Sequence, residues 1–255
     1  MHEFKKGLIH TVDKVSIAYE HDVRGTGRLV IVCPGFFNSM QNRWMKVTRQ
    51  IIAQKYDTLI FDFRGHGKSS GKFSWLARER LDLEAVLQHA KQFEYSSIGI
   101  LAFSLGAAVS LNTVSHTGGV ASMILISTPS SFWDINYHFW EPEMFFDLID
   151  NFACGWEGKG VRAGNLFLRK PKPLTQIQHI KNIPIMFIHG TKDWVIKDYH
   201  SRELYDAYNA PEKEKKLVLI KDGLHAERLI QNNREKMEEL ILGWFHKTLE
   251  GSYER

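Results

Sequence analysis

The sequence predicts an α/β protein with a mostly parallel central sheet that helices cover on both faces. Short apolar runs of strand length recur along the chain, and segments with helical spacing of apolar residues lie between them. The runs are rich in β-branched residues and are apolar throughout, which indicates strands buried on both faces. Regular alternation of such strands with helices is typical of a parallel sheet, because parallel neighbours need crossover connections.

The predicted main strands are RLVIVC from 28, DTLIFDF from 57, SIGILAF from 97, ASMILIS from 121, IPIMFIH from 183 and KLVLI from 216. Before them VSIAYEHD, from 15, alternates with period two and predicts an antiparallel edge strand. The predicted helices are roughly 41–54, 75–93, 105–116, 198–209 and 226–249. In the second of these, Leu76, Leu83, Val86 and Leu87 form one apolar face.

The composition is that of an ordinary soluble globular protein, with 255 residues, 44% hydrophobic and 24% charged. Basic residues are scattered among acids and the net charge is only +4, which argues against a nucleic-acid or membrane partner. The amino terminus lacks the apolar core of a signal peptide, and no run reaches the ~18 apolar residues of a membrane span. We therefore expect a cytoplasmic protein without stable membrane insertion. Cys33 and Cys154 are expected to be free thiols.

A long insertion interrupts the alternation between the strand that ends near Ser127 and the strand from Ile183. It predicts a core of residues 1–128 and 182–255 and a small inserted cap of residues 129–181. The aromatic residues of the insertion either cover its own core or line an apolar pocket over the carboxyl ends of the strands, where open α/β sheets bind ligands. We favour the pocket, because so short a module buries few of its own aromatics. The candidate substrate-binding residues are Phe37, Trp133, Phe139, Trp140 and Trp194.

A serine follows the strand SIGILAF at the point where a small-residue helix begins. In AFSLG, Ser104 is the central residue of a G-x-S-x-G-like turn in which Ala102 takes the place of the first glycine. A strand before and a helix after such a serine are typical of a nucleophile that the turn holds clear of the sheet. The competing interpretation is a helix N-cap, for which serine is also favoured.

A nucleophilic serine needs a histidine base and an acid that orients the histidine. Asp193 follows the strand IPIMFIH, and His225 follows the strand KLVLI. Taken alone, the aspartate could cap the next helix and the histidine could be an ordinary loop residue. Asp222 is a second, weaker candidate for the acid, since it belongs to the same loop as His225. The order Ser, Asp, His after successive strands favours a catalytic triad.

Attack on a carbonyl also needs two backbone amides that bind the oxyanion. Leu105 directly follows the serine at a helix N-terminus, and Phe36 lies in the loop PGFFNS after the strand RLVIVC. Both amides are predicted donors. The loop could instead be an ordinary Pro-Gly turn, formed by Pro34 and Gly35, with an apolar residue after it.

The chain resembles the α/β-hydrolase superfamily over nearly its whole length. PGFFNS resembles the superfamily's oxyanion loop, DFRGHGKSSG its turn after the next strand, AFSLGA its elbow, HGTKDWVI its acid turn and GLHAE its histidine loop. The likeness is nearest to the group of small-cap esterases, monoacylglycerol lipases and serine aminopeptidase-like enzymes. It implies Ser104 as nucleophile, His225 as base and then acid, and Asp193 as orienting acid. In DFRGHGKSSG it implies scaffold roles for Asp62, Arg64 and His66 beside the site.

The serine at the elbow is unlike dehalogenase-like and epoxide-hydrolase-like members, which have aspartate there. A metal alternative would use His138, Glu141 and Glu143 of the insertion, and these lack the spacing of a metal motif. We therefore expect a serine esterase without metal or cofactor that acts on a small-molecule ester with an apolar acyl or aromatic group. Thioesters and amides remain open as substrates. A ligand-binding protein on the same fold, with little turnover, is the alternative from another class. The oligomeric state is left open.

Overall fold

The computed structural model describes residues 2–135 and 160–251, and their strands form one eight-stranded sheet of order β1-β2-β4-β3-β5-β6-β7-β8. The strands are β1 Glu3–His10, β2 Ser16–Val23, β3 Arg28–Cys33, β4 Asp57–Phe61, β5 Ser97–Phe103, β6 Ser122–Ile126, β7 Ile185–Gly190 and β8 Lys215–Ile220. Strand β2 pairs antiparallel with β1 and β4, and all other neighbours are parallel. The predicted α/β class and mostly parallel sheet are confirmed.

Helices cover both faces of the sheet. They are α1 Arg43–Ile52, α2 Arg80–Ala90, α3 Leu105–Thr117, α4 Pro173–Gln176, α5 Tyr199–Ala207, α6 Arg228–Asn232 and α7 Arg234–Phe245. Helices α2, α3 and α5 contribute buried residues to one core, while α1, α6 and α7 contribute to the other. The protein therefore has three layers, with the sheet in the middle.

Strand β3 illustrates why the apolar runs are continuous. Leu29, Ile31 and Cys33 join the core on one face, while Val30 and Val32 join the core on the other. Successive side chains of a strand point to opposite faces, so a strand between two helical layers needs apolar residues at every position. The continuous apolar run of β3 therefore reflects the position of this strand between two helical layers.

The edge strand was wrongly assigned from the sequence. The segment VSIAYEHD does form an antiparallel strand, β2, but β1 lies outside it and is the true edge. Strand β1 carries almost no burial signal, because Ile9 is its one buried residue and Leu8 is 57% exposed. A strand held mainly by backbone hydrogen bonds to one neighbour leaves little trace in the hydrophobic pattern.

Two predicted helices also differ from the structure. The segment predicted from residue 75 begins as a helix only at Arg80, because Trp75 and Leu76 have left-handed φ values of 58° and 76°. Leu76 is nevertheless buried in the core against which α2 packs. The final predicted helix divides into α6 and α7 at Asn233, whose φ of −136° is not helical.

The described end of the insertion packs against the loop after β4. Val161 forms a β-bridge with His66, and Ala163 forms one with Phe73. Residues 136–159 of the predicted cap, with Cys154 and the residues of the metal alternative, lie outside the described residues, so the boundary between core and cap stays a prediction. Cys33 is a buried free thiol whose pKa burial raises to about 12. Within the described chain, the helices are all too short or too polar to cross a bilayer.

Candidate active site

Ser104 lies on a tight turn between β5 and α3. Its φ of 48° and ψ of −114° are unusual for a residue with a side chain, and such backbone strain clusters at functional sites. The turn is held by a hydrogen bond from the Ser104 amide to the Ile126 carbonyl at 2.8 Å. The side chain makes no capping hydrogen bond to α3. Ser104 therefore occupies the N-cap position of α3, but its hydroxyl does not cap the helix.

Gly106 allows the turn to lie close to the loop after β3. A Cβ atom at this position would stand 2.4 Å from the Pro34 carbonyl oxygen and 2.5 Å from that of Cys33. Both contacts are with backbone, so a larger residue would push the two loops apart. Ala102, which departs from the elbow pattern two residues before the serine, is fully buried in the core.

His225 connects the serine to an aspartate. Its Nε2 lies 3.0 Å from Ser104 Oγ, and its Nδ1 lies 2.7 Å from Asp193 Oδ2. A carboxylate only accepts hydrogen bonds, so Nδ1 carries a hydrogen and Nε2 is available to accept the serine proton. The structure thus brings the three predicted triad residues into one hydrogen-bonded chain.

Asp193 is fully buried and remains ionised. Burial by itself would raise the pKa of the carboxyl group, but the charge of His225 and hydrogen bonds from His189 and His225 hold the pKa well below its usual range. The second oxygen, Oδ1, accepts hydrogen bonds from the amides of Val195 and Ile196 at 3.0 and 2.8 Å. Asp193 therefore orders its own turn with one oxygen and faces the histidine with the other.

His189, which the sequence reasoning did not select, contacts Asp193 from the side of β7. Its Nε2 lies 2.7 Å from the Ile196 carbonyl and 3.3 Å from Asp193 Oδ2, and its Nδ1 lies 2.6 Å from Ser201 Oγ. Both oxygens near Nε2 accept, so this nitrogen carries a hydrogen. The signal was present in the sequence, because a histidine at the end of an otherwise apolar strand needs a polar partner.

Two glycines let the loops with Asp193 and His225 come together. A Cβ on Gly190 would lie 2.2 Å from the Gly223 carbonyl oxygen, and one on Gly223 would lie 3.0 Å from Gly190 Cα. The histidine loop is held further by a hydrogen bond from the Ala226 amide to Ser127 Oγ at 3.0 Å. Close backbone approach therefore places the acid beside the base.

Asp222, the second candidate acid, has other partners. Its side chain is 61% exposed and lies 3.6 Å from Lys192 Nζ, while its amide donates to Thr191 Oγ1 at 2.9 Å. Of the two candidate acids, only Asp193 contacts His225 within the described residues.

The predicted oxyanion donors are the residue after Ser104 and the residue after Gly35. Gly35 lies against the elbow, since a Cβ there would be 3.4 Å from Ser104 Cβ. In the described part of the chain, the amides of Phe36 and Leu105 donate to no carbonyl or side chain. Unpaired amides next to a nucleophile are the arrangement that binds an oxyanion. Their role stays a prediction.

Two of the three predicted scaffold residues of the DFRGHGKSSG segment contact the loop after β3, and the third has other partners. Asp62 Oδ1 accepts from the Met40 amide at 2.8 Å, and His66 Nε2 accepts from the Phe37 amide at 3.2 Å. Arg64 is paired with the buried Asp82 and with Asp13. Asp62 and His66 therefore support the predicted oxyanion loop directly, while Arg64 ties the segment to α2 and the turn before β2.

An aromatic face extends from the oxyanion loop. The Phe36 ring lies 5.2 Å from that of Phe73 and 5.7 Å from that of Trp75, and Trp75 lies 6.1 Å from Phe132. Trp133 continues the row at 5.1 Å from Phe132. We call these five side chains the aromatic face. Lys170 Nζ covers its outer end, 5.1 and 4.6 Å from the rings of Phe132 and Trp133.

The predicted substrate-binding residues have different positions. Trp133 belongs to the aromatic face and is 67% exposed, and Phe37 is 40% exposed beside Phe36. Trp194 is only 8% exposed and packs as a buried residue next to Asp193, with little surface to offer a ligand. Phe139 and Trp140 lie outside the described residues.

Phe73, Trp75 and Phe132 were not selected from the sequence. Phe73 lies just before the segment predicted as a helix, and Trp75 is the first residue of that segment, so the left-handed φ of Trp75 gave no sequence signal. The hydrogen bond from Trp75 Nε1 to the Gly164 carbonyl at 3.3 Å joins the face to the returning end of the insertion. Only the fold brings these distant segments together.

Known proteins share the fold and part of the sequence. Residues 24–147 match the family model described as serine aminopeptidase, S33. The chain is 26% identical over 221 residues to the uncharacterized protein YfhR of Escherichia coli (strain K12), covering 84% of this chain and 69% of YfhR. It is 25% identical over 244 residues to the uncharacterized protein YqkD of Bacillus subtilis (strain 168), covering 88% of this chain and 76% of YqkD.

Among solved structures, the fold is similar to that of the esterase Pf2001 of Pyrococcus furiosus. The TM-score is 0.77 at 24% sequence identity, over 97% of this chain and 93% of that chain. The sheet order, the elbow and the family match agree with one another. The chain has the α/β-hydrolase fold, and these findings together support its membership of the α/β-hydrolase superfamily.

Proposed function

We propose that the protein is a serine hydrolase that cleaves carboxylic esters through Ser104, His225 and Asp193. The observation that carries this proposal is the hydrogen-bonded chain of 3.0 and 2.7 Å that runs from Ser104 Oγ through His225 to Asp193. The serine lies on a strained turn, and among the described residues the amides of Phe36 and Leu105 have no hydrogen-bond partner, as the binding of an oxyanion requires. Likeness to an esterase fold supports the same reaction class.

Acylation begins when Ser104 Oγ attacks the ester carbonyl carbon and His225 Nε2 takes the serine proton. Ionised Asp193 stabilises the imidazolium that forms. The carbonyl oxygen becomes an oxyanion, which accepts hydrogen bonds from the amides of Phe36 and Leu105. The tetrahedral adduct then collapses, and His225 gives its proton to the departing alkoxide. The products of this half-reaction are the alcohol and an acyl ester of Ser104.

Deacylation repeats the sequence with water as nucleophile. His225 Nε2 removes a proton from the water as it attacks the acyl carbon, and the two amides bind the second oxyanion. Collapse breaks the bond to Ser104 Oγ, which recovers its proton from His225. The carboxylic acid leaves, and the resting state returns without any cofactor.

The aromatic face supports an apolar acyl or aromatic group in the substrate. It begins at Phe36, whose own amide is a proposed oxyanion donor, so a group extending from the carbonyl carbon can reach the rings. Phe36 is 39% exposed and Trp133 is 67% exposed, which leaves aromatic surface for a ligand. Burial of each methylene on such a surface contributes about 0.8 kcal/mol.

The test uses a fluorophosphonate probe and p-nitrophenyl esters of increasing acyl length. We expect the wild-type chain to be labelled and to turn over the esters, and Ser104→Ala to do neither. kcat/KM should rise from acetate to octanoate as methylenes contact the aromatic face. Acyl thioesters and aminoacyl p-nitroanilides form parallel arms, since thioesterases and peptidases use the same triad and the family model describes a serine aminopeptidase.

Wild-type protein that is not labelled, and whose activity equals that of Ser104→Ala in all arms, would contradict the proposal. That result would favour the ligand-binding alternative. Activity confined to the anilide arm would retain the triad and replace the ester as substrate. A fall in kcat/KM with acyl length would count against the aromatic face as the acyl-binding surface.

A further inference from the structure

Two consecutive amides of the predicted oxyanion loop differ, because one has a hydrogen-bond partner and the other has none among the described residues. The Phe37 amide donates to His66 Nε2 at 3.2 Å, whereas the Phe36 amide has no partner among the described residues. At the far end of the same loop, the Met40 amide donates to Asp62 Oδ1 at 2.8 Å. Side chains of the segment after β4 therefore bind the loop after β3 at Phe37 and at Met40. Among the described residues, the Phe36 amide has no hydrogen-bond partner.

The contacts of His66 define its protonation state. Its Nδ1 lies 3.1 Å from the Arg64 carbonyl, which only accepts, so Nδ1 carries the hydrogen. Its Nε2 faces the Phe37 N–H group, so Nε2 carries none. Both bonds exist only in this neutral tautomer. His66 is 1% exposed, and burial lowers its pKa to about 4, which keeps the ring neutral at neutral pH.

The residue whose amide donates to His66 is strained. Phe37 has a left-handed φ of 63°, a conformation that costs a residue with a side chain about 1 kcal/mol. Aromatic rings also pack against His66, whose ring centroid lies 5.9 Å from that of Phe36 and 5.1 Å from that of Phe73. Strain of this kind persists only where surrounding contacts impose it.

We propose that His66 is a positioning residue of the oxyanion hole, which holds the Phe37 amide so that the Phe36 amide faces the oxyanion on the Ser104 adduct. This inference rests on the proposed serine-hydrolase function and extends it to the segment after β4. His66 touches no reacting atom. It acts by holding the backbone of the loop in a conformation that the loop does not prefer.

Two conservative variants separate positioning from packing. In His66→Gln the amide oxygen can stand where Nε2 stands and accept from Phe37, whereas in His66→Asn the shorter amide reaches only the position of Nδ1. We expect kcat to fall about 10- to 100-fold in His66→Asn, less than the 10² to 10³ of a lost donor, with KM within about threefold. His66→Gln should recover most of kcat. Affinity for an alkyl boronic acid, whose tetrahedral adduct carries an oxygen like the oxyanion, should fall in parallel with kcat/KM.

His21 provides the matched control. It is also fully buried with a pKa lowered by burial to about 4, but it bonds Tyr95 and pairs with Leu59 in the sheet, away from the carboxyl end of β4. His21→Asn should lose stability with kcat within about twofold of wild type. Equal loss of kcat in His66→Asn and His66→Gln, or unchanged boronic acid affinity in His66→Asn, would overturn the proposal.

Amide hydrogen exchange at single-residue resolution tests the geometry without any substrate. The Phe37 amide should be protected in wild type and His66→Gln and lose protection in His66→Asn, while the Phe36 amide exchanges freely in all three. A Phe37 amide that is unprotected in wild type would overturn the positioning role even in an active enzyme. An inactive wild type with a protected Phe37 amide would refute the hydrolase proposal and leave the His66 contact standing.

Discussion

The two sides of the candidate oxyanion hole are held by different means. On the elbow side, Ser104 has a φ of 48° and is held by backbone, through the bond to the Ile126 carbonyl and the contact of Gly106 with the Pro34 carbonyl. On the loop side, Phe37 has a φ of 63° and is held by a side chain from another segment. Both regions contain a strained residue with a side chain.

The difference explains which side can be recognised in the sequence. A turn imposed by backbone contacts needs small residues at set positions, so its pattern is local and readable in AFSLG. A loop imposed by distant side chains needs partners such as His66 and Asp62, which can be identified only when the fold shows what they bind. The elbow is thus a local feature and the oxyanion loop a tertiary one.

The largest expected effect is the loss of kcat when Asp193, the acid that orients His225, is changed. Asp193→Asn should lower kcat about 10³- to 10⁴-fold, because an amide can impose the wrong tautomer on His225 and does not stabilise the imidazolium. Asp222→Asn is the matched control and should stay within about twofold, since its side chain is 61% exposed beside Lys192. Steady-state kinetics on a p-nitrophenyl ester measure both. The reverse ranking would make Asp222 the orienting acid.

The elbow can be broken by a single methyl group. Gly106→Ala places a Cβ 2.4 Å from a backbone oxygen, so the turn and the loop must separate, and we expect a loss of about 1–3 kcal/mol in the free energy of unfolding, as overpacking costs. Gly243→Ala is the control, because no atom lies within 4 Å of the added Cβ in α7, and it should stabilise by about 0.5–1 kcal/mol. Urea denaturation gives both values. Equal behaviour of the two variants would contradict the steric account of the elbow.

The loop side should be sensitive to acid where the elbow is not. The pKa of His66 is lowered to about 4 by burial, with a smaller contribution from the charge of Arg162, against about 6.5 in the unfolded chain. Between these values the unfolded state binds more protons, so the stability that neutral His66 allows is present above pH 6.5 and is lost as pH falls towards 4. The free energy of unfolding falls by up to about 3 kcal/mol, since each unit of difference between the two pKa values corresponds to about 1.4 kcal/mol.

Comparison of wild type with His66→Asn isolates this contribution, because His21 and the other groups titrate in both proteins. The free energy of unfolding, measured between pH 7 and pH 4, should fall less in His66→Asn than in wild type. Parallel pH profiles for the two proteins would show that His66 does not titrate in this range.

Several elements follow from the sequence for reasons that are local. The strands β3 to β7 are apolar at nearly every position because each side chain enters one core or the other, as Val30 and Ile31 do. Strand β1 could not be predicted, since Ile9 alone is buried and backbone pairing with β2 holds the rest. Trp75 and Leu76 read as part of a helix, because apolar spacing does not reveal that both φ values are positive.

The candidate site divides in the same way. The order of Ser104, Asp193 and His225 could be predicted because each follows a strand of a parallel sheet, and the carboxyl ends of such strands meet at one edge. The row of rings from Phe36 to Trp133 could not be predicted, because it joins segments that are far apart in the chain. His189 showed in the sequence only its need for a polar partner, and the fold shows that Asp193 is one of its partners.

The sequence by itself determined the layered α/β architecture, the elbow and the identity of the three triad candidates, because periodic burial and tight turns restrict residue types locally. Tertiary structure alone decided that Asp193 rather than Asp222 contacts the histidine. It also decided that, among the described residues, the Phe37 amide has a hydrogen-bond partner and the Phe36 amide has none. The fold likewise decided which aromatic residues form the aromatic face that begins at Phe36. These outcomes depend on distances between segments that pack together only in the folded chain, where hydrogen bonds and ring contacts select one of several partners that the sequence allows.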